Sequence, residues 1–155
     1  MVTDSLHKRD VALDTLMPLI REELARGQRV RFAPRGISML PMLRQGIDTV
    51  TISPVSGRLK KYDLPLYRRD DGKYILHRIV RAGETYTCIG DNQFVKETGV
   101  RQDQLIGVVT EFTRGEKNVS VNDPRYWLYC RFWNMTRFPR RCVRKGKSLL
   151  RRLVK

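Results

Sequence analysis

The sequence predicts a mainly β protein with one N-terminal helix and a basic, partly helical C-terminal tail. Three observations carry this expectation. Short runs rich in β-branched and aromatic residues recur from Val30 to Val121. Hairpin turn signals punctuate them: Asp70-Asp71-Gly72, Arg81-Ala82-Gly83-Glu84 and Arg114-Gly115-Glu116-Lys117. Apolar residues at three- and four-residue spacing mark a helix in the N-terminal segment.

Residues 1–10 are polar and read as a frayed start. From Val11 to Arg26, Leu16, Leu19, Ile20 and Leu24 recur at three- and four-residue spacing. Pro18 suits a first turn, which puts the firm helix near Met17, and Gly27 reads as its stop. Strands are expected at Val30–Ala33, Thr49–Ser53, Leu64–Arg68, Tyr74–Arg81, Thr85–Ile89, Ile106–Thr113 and Val119–Val121. Met39–Gln45 suggests one helical turn capped at Gly46. No internal repeat or low-complexity linker appears. The chain divides into an N-terminal helical segment (1–29), a β-rich body (30–122) and an aromatic, basic tail (123–155), in which Pro139 should separate an aromatic helix from a short basic one.

The chain has 155 residues and a formal net charge of +15. Eleven of its 31 basic residues, and none of its 16 acidic ones, lie between Pro124 and Lys155. The body alone carries about +4, so the tail owns most of the field and a whole-chain argument for nucleic-acid binding would mislead. Cys88, Cys130 and Cys142 form no CxxC pair, and their odd number fits reduced thiols rather than a disulfide frame or a zinc site. No apolar run approaches bilayer length and no signal-peptide core opens the chain. The expected location is cytoplasmic, with peripheral contact at the inner face of the membrane left open.

The residues that carry chemistry come in order. Gly36-Ile37-Ser38-Met39-Leu40-Pro41 is followed by Leu76-His77-Arg78 and then by Gly90-Asp91-Asn92. A serine needs a base to become a nucleophile at neutral pH, and only His7 and His77 are available. Strand alternation places Ile75, His77 and Ile79 on one face and Leu76, Arg78 and Val80 on the other. Isoleucine neighbours desolvate the imidazole and favour the neutral form a base requires. Taken singly, a serine in a turn, a histidine in a strand and a Gly-Asp-Asn turn are commonplace; their order gives them weight.

With Tyr62-Asp63-Leu64 and Ile106-Gly107-Val108, these boxes resemble the signal peptidase I and LexA-type serine peptidase superfamily across roughly Val30 to Thr113. A histidine in the second box is similar to signal peptidases of endoplasmic-reticulum and archaeal type. The resemblance implies coiled antiparallel β-sheets, Ser38 as nucleophile and His77 in the general-base position. It implies Asp91 as the third member with Glu97 close behind, Asp103 standing further on, and oxyanion or substrate contacts at Gly36, Met39 and Pro41. Gly36 stands where family enzymes often carry a serine, so the oxyanion would rely on the Ser38 N–H and another main-chain donor. Tyr62 likewise replaces a family glycine. A lysine dyad would need Lys60, Lys61 or Lys73, none of which sits in the second box. The only Ala-Gly bond, Ala82-Gly83, follows His77, which argues against LexA-like self-cleavage.

The expected function is therefore a serine endopeptidase acting on a peptide or protein precursor, without cofactor or metal. The alternative is a weakly active or inactive peptidase-fold binding protein. For the tail, packing against the body with solvated arginines, contact with an anionic membrane, and contact with nucleic acid stay open in that order.

Overall fold

The structure, a computed structural model, describes residues 13–144. Helix α1 (Leu13–Ala25) packs on an antiparallel β-body of β1 (Val30–Phe32), β2 (Val50–Ser53), β3 (Pro65–Arg68), β4 (Tyr74–Leu76), β5 (Arg78–Ala82), β6 (Tyr86–Ile89), β7 (Glu97–Val100), β8 (Leu105–Arg114) and β9 (Lys117–Ser120). Helix α2 (Pro124–Met135) follows, and residues 137–144 form a further helical segment, α3. The expected helix start at Val11 and the last part of the basic tail lie outside the described residues.

The strands form two sheets. One runs β1-β2-β8-β3-β4 with β9 on β8; the other runs β5-β6-β7. Strand β3 lies between two apolar clusters, and its alternation serves both. Leu66 enters the larger cluster and Tyr67, on the opposite face, enters the smaller one with Ile79, Tyr86 and Cys88. The run expected as one strand from Tyr74 to Arg81 is cut in two. β4 pairs with β3 in the first sheet, while β5 pairs with β6 in the second. His77 is the residue between them, so the chain changes sheets at the histidine.

Other expectations need correction. Helix α1 is already helical at Leu13 and carries Pro18 inside it. Its buried stripe is Met17, Ile20 and Leu24, while Leu19 points to solvent, because only spacings of three, four and seven residues keep one face. Gly27 ends the helix as expected: at φ +76° it lets Gln28 N–H reach Glu23 O (2.9 Å) and its own N–H reach Leu24 O (3.0 Å). Residues 39–45 form successive turns rather than one capped helical turn. Pro139 falls in the first turn of α3 and breaks nothing; the helices part at Thr136. Strand β7 was not expected, because Glu97-Thr98-Gly99-Val100 is short and carries a glycine in its interior.

The first helix of the tail, α2, packs against the body. Tyr126 and Cys130 of α2 are buried in the larger core, and their partner is Arg78, itself 1% exposed. Arg78 donates from Nε and Nη2 to the two oxygens of Asp91, both at 2.8 Å. Its Nη1 reaches the Tyr126 hydroxyl (2.7 Å) and the Tyr62 carbonyl (3.3 Å), and the Cys130 and Met42 sulfurs stand 2.9 Å from the guanidinium. The Tyr129 hydroxyl donates to Asp91 Oδ2 (3.0 Å) and Trp133 Nε1–H to the Asp91 carbonyl (2.8 Å). Tyr62 holds φ +81°, in the left-handed region that favours glycine.

Removing one partner of a fully buried ion pair leaves the other charge uncompensated. Asp91→Asn is therefore expected to lower the unfolding free energy by about 3–5 kcal/mol, as read by urea titration.

Candidate functional site

Ser38 sits on the long excursion between β1 and β2, which is pinned at two points. Asp48, fully buried, accepts from the Arg44 backbone N–H (2.8 Å), from Arg44 Nε and Nη2 (both 2.9 Å), and from the Gly115 N–H (3.1 Å). The Arg44 bonds, against the opposing effect of burial, hold the Asp48 carboxyl down at about 2. Arg114 donates to the Pro41 carbonyl and to the Met42 carbonyl (3.0 Å). The serine turn is thus braced from its far side.

From the near side it is braced by the Gly-Asp-Asn box. Asn92 N–H donates to Ser38 O (2.8 Å), and Asn92 Nδ2 donates to Ile37 O (3.2 Å). Gly90 is packed against the serine so closely that a Cβ there would meet Ser38 O at 2.6 Å. That contact explains a glycine at this position without recourse to φ.

Ser38 and His77 line one cleft of about 920 Å³, together with Gly36, Arg69, Phe94 and Glu97. Both also line a smaller, partly open side pocket of about 100 Å³ with Phe32, Arg35, Met39, Leu43 and Ile75. His77 is 4% exposed, and its ring meets the Tyr67 ring edge-on with centroids 6.5 Å apart. Burial lowers its pKa to about 4; the nearby Glu97 charge opposes that shift and Arg69 reinforces it. The imidazole is neutral at pH 7.

The acid beside it is Glu97. Its Oε2 lies 4.0 Å from His77 Nδ1, a nitrogen that is buried and makes no hydrogen bond. The same carboxylate accepts from the Tyr67 hydroxyl (2.7 Å) and, side-on, from Arg69 Nε (2.6 Å) and Nη2 (2.7 Å). Burial alone would raise the Glu97 pKa, but these bonds outweigh it and keep the group below the usual carboxylate range. Asp91, first choice for the third member, has its oxygens turned to Arg78 and Tyr129 and serves the fold. The physical reason is the arginine: the buried Arg78 guanidinium takes both Asp91 oxygens, which leaves neither for the imidazole. Asp103 is bound to Arg101 (3.2 Å), away from this cleft.

Of the residues expected to contact substrate or oxyanion, Gly36 lines both cavities at φ +90°, and its N–H is engaged by Gln45 Oε1 (3.0 Å). Met39 is buried in the larger core and lines the side pocket. Pro41, joined to Leu40 by a cis peptide, lines neither cavity and shapes the turn instead. Sequence reasoning missed Arg69 and Tyr67, which aim Glu97, and Arg78, read as lying on the other face of a strand. The signal for Arg78 was present: an arginine alternating with Leu76 and Val80 stands on an apolar face and demands a buried acid. All three cysteines are free, and burial pushes the Cys88 thiol up to about 12. No helix among the described residues is long and apolar enough to cross a membrane.

Comparison with protein-family models, curated proteins and solved structures returns no match.

The unfolded imidazole titrates near 6.5 and the folded one at about 4. Between those values only the unfolded chain takes up the extra proton. The stability tied to His77 is complete above pH 6.5 and falls as pH drops toward about 4. His77 should titrate by NMR at about 4, with His7 as the second signal. Glu97→Gln should lower that pKa further by removing an attractive charge, and Arg69→Gln should raise it by removing a repulsive one.

Proposed function

We propose that the chain is a serine peptidase of the signal-peptidase and LexA type, in its histidine branch, acting on a peptide or protein precursor. One observation carries the reading: Ser38 lines the same cleft as a buried, neutral histidine whose Nδ1 faces a carboxylate. With Nδ1 turned to Glu97, Nε2 is the nitrogen left to take the Ser38 proton while Oγ attacks the scissile carbonyl. The Glu97 charge then stabilises the imidazolium as it forms, a role that a 4.0 Å separation serves electrostatically. The imidazolium passes its proton to the leaving amine, and water, deprotonated by the same imidazole, releases the acyl group from Ser38.

Strand β4 is an edge of its sheet and runs directly into His77, so an extended substrate can add to it as a further strand. The side pocket that Ser38 and His77 share is small enough to admit only a short substrate side chain. The oxyanion falls to the Ser38 N–H and a further main-chain donor, because the Gly36 N–H is engaged by Gln45.

A second reading, a binding protein of the same fold with feeble turnover, is favoured by two observations. The His77–Glu97 contact is longer than a hydrogen bond, and no serine stands at Gly36 to supply a side-chain donor. Reactivity separates the two readings. A fluorophosphonate probe should label wild-type protein and leave Ser38→Ala blank, and His77→Ala should lower the labelling rate by about 10⁴-fold while the protein stays folded. Equal labelling of wild type and Ser38→Ala would sink the peptidase reading.

A further inference from the structure

Helix α2 is apolar on two opposite sides. Its inner side, with Tyr126 and Cys130, belongs to the core. On the outer side Leu128, Phe132 and Met135 recur at i, i+4 and i+7 and are 60%, 59% and 74% exposed. Surface helices normally turn charge to the solvent opposite their buried stripe. Phe138 of α3, 76% exposed, stands three residues beyond Met135. Large apolar side chains gathered in this way mark an interaction surface.

The charge around the stripe selects what covers it. Arg125 flanks it on one side of the helix and Arg131 on the other; the Arg131 guanidinium lies over the half-exposed Trp127 ring at 4.6 Å. No acidic residue occurs from Pro124 onward, against eleven basic ones. A second copy would press two wholly basic surfaces together, which costs energy at contact distance. Nucleic acid would satisfy the arginines but leave Leu128 and Met135 with no base to stack on. A bilayer interface answers both parts: acyl chains take the aliphatic and aromatic side chains, Trp127 sits at headgroup depth, and arginines reach up to anionic headgroups.

We propose that the outer face of α2 and α3 lies in the headgroup boundary of an anionic bilayer. Arg144 of α3 lines the cleft that holds Ser38, so a protein seated in this way holds its cleft close to the lipid surface, where membrane-borne peptides would reach it. The surface itself does not rest on the peptidase reading, since binding needs neither Ser38 nor His77.

The test is co-sedimentation of the full chain with phosphatidylglycerol–phosphatidylcholine vesicles and with pure phosphatidylcholine vesicles. Binding is expected to the first, to weaken with salt, and to be far weaker with the second. The double variant Leu128→Ser/Phe132→Ser, with both sites solvent-exposed and near-UV circular dichroism as the fold control, should bind about a hundredfold less tightly. Arg125→Gln/Arg131→Gln should erase most of the preference for anionic lipid. Three results would each overturn the proposal: no binding to the anionic vesicles, binding unchanged in Leu128→Ser/Phe132→Ser, or stripe-dependent self-association or RNA binding without vesicle binding.

Discussion

The buried pair of Arg78 and Asp91 is the constraint on which the rest of this structure depends. Desolvating two charges is costly, and the cost is offset only where every donor and acceptor finds a partner. Here the guanidinium meets a carboxylate, a tyrosine hydroxyl, a carbonyl and two sulfurs, while the carboxylate takes a further bond from Tyr129. Those partners come from β5, the loop after β6, the turn before β3, the serine excursion and α2. One ion pair therefore joins both sheets to the C-terminal helix. Trp133 and Arg137 add grip on the same loop through the Asp91, Gly90 and Gln93 carbonyls.

That loop in turn holds the serine. Gly90 lies against Ser38, and Asn92 bonds the Ser38 and Ile37 carbonyls. The aspartate that motif reasoning nominates for catalysis is bound to Arg78 and Tyr129, and it fixes the segment that presses on the Ser38 turn. On the other side, Asp48 and Arg114 brace the excursion from beneath. The division of labour among the acids follows from their neighbours. Asp91 and Asp48 are fully buried with arginines and hold structure, whereas Glu97 is partly exposed at the cleft and faces the imidazole.

The histidine owes its character to a change of sheet. Because β4 ends at Leu76 and β5 begins at Arg78, His77 lies where the two sheets part. Its ring is packed against Tyr67 and also reaches the cleft. Burial there keeps the imidazole neutral; the neighbouring Glu97 charge opposes the shift and Arg69 reinforces it.

Much of the fold was legible in the order of residues. β-rich runs, glycine turns and the Gly27 helix stop depend on local sterics and short-range hydrogen bonds, which composition and spacing express directly. The same holds for the boxes around Ser38, His77 and Asp91, which do come together: serine and histidine line one cleft, and the aspartate's loop backs the serine. The partners of the side chains were not legible. Nothing in a linear pattern says that Tyr74–Arg81 divides between two sheets, that Glu97 on an unremarkable strand meets the imidazole, or that Arg78 reaches Asp91 first. Competition for a buried carboxylate is decided by distance and desolvation, and both exist only once segments far apart in the chain have packed together.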